Sequence, residues 1–288
     1  MRWLAPGADA ARLLTRMPVE CLTPSTDPNL AYEIELGRAA FRSPLLLGGQ
    51  AARAGLACDS CHQNGRANAN FDFPGLSGAP GTADVTSSLM SSHRGDGIDN
   101  PRPIPDLGGP RQAFKVSRVP GSSDLRLFID GLITQEFDGA PPPPAVLSGL
   151  AAYVRALTPQ ACPGGAAWRV LSVDDAVADA RRAVRTALGA LARGDAPSAV
   201  VMIKAARAQL GNIAERYPGA SLAPQRQGLA VADLDLAAAL AAIRTGNAGA
   251  ALRLSTWLGR SEGWAAPLRS AEGASLYAPE VLARTAGA

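Results

Sequence analysis

Two cysteines three positions apart with a histidine directly behind them, Cys58-Asp59-Ser60-Cys61-His62, constrain this 288-residue chain more than any other feature. Thiols spaced this way can reach the two vinyl groups on one edge of a haem, and the adjoining imidazole is then aimed at the iron from the same side. The motif therefore predicts one covalent haem c, attached through Cys58 and Cys61, with His62 as the proximal iron ligand. Zinc half-sites and thioredoxin-like dithiols also use two cysteines at this spacing. With only four Cys and two His in the chain, a closed zinc site would have to recruit the distant Cys21, Cys162 or His93. A thioredoxin-like pair needs a βαβ setting, which the loop-rich text after His62 does not offer.

The chain is long enough for two domains. Residues 1–29 read as an N-terminal extension and 30–158 as the first domain. In the stretch 31–42, Ile34, Leu36, Ala40 and Phe41 recur at near-helical spacing before Pro44, which predicts a helix. From Asn64 to Pro144 the text is mostly loop, punctuated by Gly and Pro, with one helix expected over 124–137 and another over 145–157. So long a loop is unusual in a compact domain, and a porphyrin supplying the apolar core would account for it. Residues 159–171 form a Pro/Gly-rich linker. Over 172–288 the text turns Ala-rich and helical, with Ser172 as N-cap of the first helix and further helices expected over about 197–216, 229–244 and 248–258. Gly194-Asp195 and Gly246-Asn247 each place a left-handed stop before a capping residue, so two αα-hairpins are predicted. They would pack as a four-helix bundle in preference to a tetratricopeptide-type repeat, whose full signature is absent. The fold class expected for the whole is all-α.

Several segments around the motif resemble a cytochrome c domain. They are Leu36-Gly37-Arg38-Ala39-Ala40-Phe41, the CxxCH with Asn64-Gly65 behind it, Ile104-Pro105-Asp106-Leu107, and Leu150–Leu157. Within that group the chain is most similar to domains of the bacterial di-haem cytochrome c peroxidase and MauG-like families, over residues 30–158. The resemblance implies that the first and last helices of the domain cross beside the haem, so that Gly37 and Phe41 meet Leu150 and Tyr153. The chain departs from those families in having one CxxCH instead of two. It also lacks a histidine in 111–131, where they tend to carry a His-Asp-Gly segment.

The sixth iron position separates electron transfer from small-molecule chemistry. Met90 and His93, three residues apart in a Ser-rich loop, are the two candidates for distal ligand, and neither is preferred by sequence. Cys21 and Cys162 flank the domain, and in an oxidising compartment two leftover cysteines pair as a disulfide. Asp96, Asp99, Asn100 and Asp106 have calcium-ligand chemistry, and the related di-haem enzymes bind calcium. Their spacing is not that of an EF-hand, so turn formation is the better reading and a calcium site the lesser one. Arg94, Arg102, Arg111 and Arg118 could meet haem propionates, although any one of them reads equally as a surface arginine. Trp257 and Trp264 are expected to plug the helical domain.

Arg outnumbers Lys 26 to 2 without forming a basic block, so the net charge of +3 makes no nucleic-acid footprint. No apolar run reaches the 18 residues that a membrane-spanning helix needs. Haem ligation to CxxCH takes place outside the bacterial cytoplasm, so a periplasmic or secreted location with a signal peptide is expected. The stretch Met1–Pro18, broken by Pro6, Gly7 and Asp9, shows no signal h-region. The function expected is a monohaem cytochrome c passing single electrons to an unidentified redox partner, with the helical domain as a docking or structural module. The alternatives are a peroxidase-related protein working with a separate haem partner, and a haem-based sensor or assembly subunit.

Overall fold

A computed structural model describes residues 3–109, 116–119, 121–162 and 167–286. Among these described residues, helix makes up 58% and strand 7%, with no closed sheet, consistent with an all-α class. Among the described residues the helices are α1 (Ala10–Leu14), α2 (Pro28–Phe41), α3 (Gly49–Arg53), α4 (Cys58–Cys61), α5 (Asp124–Gly131), α6 (Pro144–Ala156), α7 (Val173–Ala192), α8 (Ala196–Glu215), α9 (Ala223–Arg244), α10 (Ala250–Ser270) and α11 (Pro279–Ala286). The chain divides into two compact units, Met1–Asp9 with Met17–Arg169, and Ala10–Arg16 with Val170–Ala288. The stretch read as an N-terminal extension thus contributes to both. Of the linker, residues 163–166 lie outside the described residues.

In the first unit α2 packs on α6. Asp27 caps α2 by accepting the Asn29 N–H at 2.8 Å, and Pro28 occupies the first helical turn, where its missing N–H costs nothing. At the crossing two glycines meet. A Cβ on Gly37 would lie 1.9 Å from the Gly149 carbonyl oxygen, and one on Gly149 would lie 2.8 Å from the Glu33 oxygen. Phe41 then sits edge-on to Tyr153, with ring centroids 5.1 Å apart. The helix expected over 124–137 is α-helical only to Gly131 and continues as one π-turn over Leu132–Glu136.

The long segment between α4 and α5 supplies its own apolar anchors. Phe71, Phe73, Leu76, Met90 and Ile104 are all buried. Backbone bonds from Gly81 to Phe71, Asp84 to Leu76 and Ile104 to Gly81, at 2.7–2.9 Å, tie it together. These side chains give the segment an apolar core of its own.

In the second unit α7 packs on α8, α8 on α9, α9 on α10, and α10 back on α7, a closed ring of four helices around Val184, Met202, Ile203, Leu236 and Leu254. Ser172 and Asp175 cap α7 reciprocally, at 3.3 and 2.9 Å. Gly194 and Gly246 adopt φ of +72° and +67° at the two junctions. Asp195 accepts the Ser198 N–H at 3.0 Å and Asn247 the Gly249 N–H at 2.7 Å. Helix α9 starts six residues earlier than its hydrophobic pattern suggests, and α10 runs twelve residues further, through Pro267. Burial of Ala265 and Leu268 beyond the apparent breakers Gly259 and Gly263 outweighs their local propensity.

Candidate functional site

Cys58 and Cys61 open and close a single helical turn. Its start is held by the Ser60 hydroxyl, which accepts the Ala57 N–H at 3.0 Å. His62 follows at the exit with φ −114°, and its N–H donates to the Cys58 carbonyl. The chain then reverses through Asn64 and Gly65, at φ +51° and +76°, so that His62 opposes Ala67 and Gln63 opposes Arg66. Asn-Gly is the dipeptide for such a two-residue hairpin, because both central positions need positive φ. Gly65 is further required by space, since a Cβ there would stand 2.4 Å from a Leu157 methyl.

Asn64 anchors this turn in three directions. Its N–H donates to Asp59 Oδ1 at 2.8 Å, its amide NH₂ to the Pro18 carbonyl at 2.7 Å, and its amide oxygen accepts from Arg42 at 2.7 Å. Arg42 also meets Glu20 at 2.9 Å, where Arg38 and the Tyr153 hydroxyl converge, the latter at 2.6 Å. Below the turn, Asn68 returns to the Ser60 and Cys61 carbonyls at 2.9 Å each.

His62 Nδ1 lies 2.9 Å from the Pro105 carbonyl oxygen. A carbonyl can only accept, so Nδ1 carries the proton and Nε2 keeps its lone pair. Burial, against the opposing pull of Pro105 and Asp106, lowers the imidazole to about 4, so the ring is neutral at neutral pH. Pro105 is held by its neighbours: the Ile104 N–H binds Gly81, the Leu107 N–H binds Gly65, and Asp106 pairs with Arg66 at 2.6 Å. Burial pushes the Cys58 and Cys61 thiols up to about 12, and both are free. An uncharged thiol is a poor redox nucleophile.

Cys21 and Cys162 are joined in a disulfide with Cα atoms 5.3 Å apart, which removes both from metal binding. Among the described residues no three His, Cys, Asp or Glu side chains converge as a metal site. Asp96 and Asp106 instead accept the Ile98 and Gly108 N–H groups two residues on, each at 2.9 Å, as turn formers do.

No family model, curated protein or solved structure matches this chain.

Met90 and His93, three residues apart in sequence, differ in burial. Met90 is 1% exposed, whereas the His93 side chain is 55% exposed with Nε2 3.8 Å from Asp138. The four arginines also diverge. Arg118 is buried and donates to the Leu107, Val154 and Leu157 carbonyls, closing the end of α6. Arg94 faces Glu136 at 3.5 Å, Arg102 is exposed, and Arg111 lies outside the described residues. Three participants went unassigned in the sequence: the Pro105 carbonyl, the Asn64 amide and Glu20. Only Asn64-Gly65 carried a local signal, the hairpin dipeptide.

Proposed function

We propose that the first unit is a cytochrome c domain that holds one haem c and passes single electrons. The observation that carries this reading is the His62–Pro105 hydrogen bond on the same turn as two free, neutral thiols. Cys58 and Cys61 would each add to a vinyl group as thioethers. The Pro105 carbonyl would keep the His62 ring in one tautomer and orientation, with the Nε2 lone pair directed to iron. Haem, when bound, supplies a ferric/ferrous couple. A carbonyl acceptor behind a ligating histidine raises its basicity, which favours the ferric state. Asn64, Arg42 and Glu20 hold the turn from behind.

Of the two distal candidates we favour Met90. A ligand to an iron held within the unit must itself be interior, and His93 is turned outward to Asp138. A thioether ligand would raise the potential relative to bis-histidine ligation. The disulfide fits an oxidising compartment, hence export from the cytoplasm, and no helix among the described residues is long and apolar enough to cross a membrane. The helical unit would serve as a docking module for a redox partner.

The test is expression with the cytochrome c maturation machinery, followed by haem staining of a denaturing gel and absorption spectroscopy. Covalent haem is expected in the parent chain, reduced in Cys58→Ser and absent in Cys58→Ser/Cys61→Ser. The parent iron should be low-spin and inert to peroxide. Met90→Ala should turn it high-spin, and His93→Ala should leave it unchanged. Absence of covalent haem from the folded parent sinks the proposal. A high-spin parent iron that reacts with peroxide would move the assignment to the peroxidase class.

A further inference from the structure

In the second unit, between α9 and α10, lies an open cleft of about 350 Å³ whose chemistry the proposed haem site does not use. Gln225, Gly228 and Val231 line one side of it, and Trp257, Gly263 and Trp264 the other. The volume is at the lower end of the range of small-ligand pockets. Two polar atoms of this lining have no hydrogen-bond partner: Gln225 Oε1, an acceptor, and Trp264 Nε1, a donor. The contrast with Trp257 is informative, since its indole N–H is already satisfied by the Ala232 carbonyl at 2.9 Å.

Unpaired buried polar groups are destabilising, and two beside one cleft, one from each helix, call for an explanation. Val231, 52% exposed, adds an apolar surface beside them.

We infer that this cleft binds a short peptide segment bearing an aliphatic side chain. A peptide is the ligand that presents a donor and an acceptor on one rigid amide together with an apolar branch. Its N–H would meet Gln225 Oε1, its C=O the Trp264 Nε1–H, and its side chain the exposed Val231. Both orphan atoms are buried, whereas Gln225 and Trp264 as whole residues are only partly so. A change of rotamer in these two side chains would bring the atoms to the ligand.

The experiment is a titration of the full chain with N-acetyl-leucine methylamide, read from the indole N–H resonances of the tryptophans. A saturable shift of the Trp264 resonance is expected. The matching methyl ester, which keeps the acetamide N–H but lacks the C-terminal amide N–H that would face Gln225, should bind roughly tenfold more weakly. Gly228→Met, which replaces a helical glycine by a better helix former and fills the cleft, should keep the fold by circular dichroism and lose the shift. The proposal is overturned if the shift fails to saturate, if it persists in Gly228→Met, or if the amide and ester bind alike. It is also overturned if the resonance moves with protein concentration in the absence of peptide, which would assign the cleft to a second copy of the chain. None of these readouts depends on haem.

Discussion

Glu20 has three partners inside the first unit: Arg42 at 2.9 Å, the Tyr153 hydroxyl at 2.6 Å, and Arg38. Burial alone would raise its pKa, but Arg42 and Arg38, with the Tyr153 hydrogen bond, outweigh burial and hold it at about 2 against an ordinary 4.5. A carboxyl depressed this far contributes about 3 kcal/mol of stability. Because its folded value lies below its unfolded one, that contribution is complete above pH 4.5 and is lost as pH falls from 4.5 to 2. Thermal melts across this window should show Glu20→Gln less stable at neutral pH and with a shallower acid slope than the parent. An unchanged acid slope would mean that the charge network does not operate. None of this was legible in the sequence, because Glu20 lies eighteen residues or more from every one of its partners. The CxxCH motif was legible because its three functional groups fit on one turn.

At the level of elements, the α2–α6 crossing depends on the absence of side chains at Gly37 and Gly149. A Cβ on Gly37 would overlap the Gly149 carbonyl at 1.9 Å, and backbone cannot swing aside as a flexible side chain can. Gly37→Ala should therefore destabilise the first unit by about 2–3 kcal/mol, the cost of overpacking, even though alanine favours a helix. Denaturant midpoints would measure it, and a neutral or stabilising result would mean that the helices separate freely. Sequence pointed to Gly37 as a place of close approach but not to Gly149 as what approaches. Conversely, Gly194 and Gly246 did their work locally, as left-handed stops, and sequence located both. Helix α10 shows the limit of local reading, since Gly259, Gly263 and Pro267 signal an end that burial of its opposite face overrides.

On the scale of the whole chain, the Cys21–Cys162 bond closes a sequence separation of 141 residues around nearly all of the first unit. Loop-closure entropy sets its contribution at up to about 5 kcal/mol. Reduction, or Cys21→Ser/Cys162→Ser, should lower the denaturant midpoint of the first unit accordingly, and an unchanged midpoint would show that the bond stabilises nothing.

The sequence by itself determined what is short-range: the all-α class, the chemistry-bearing turn at Cys58–His62, the caps at Ser172 and Asp195, and the two glycine junctions. Each rests on interactions within about five residues. The tertiary structure decided what turns on burial and long-range contact. It set Met90 apart from His93, committed Arg118 to the end of α6, gave His62 a tautomer through a carbonyl 43 residues away, and left two polar atoms unmet beside one cleft. The physical reason is that a hydrogen bond or an apolar contact is specified by distance in space, and composition and periodicity record only distance along the chain.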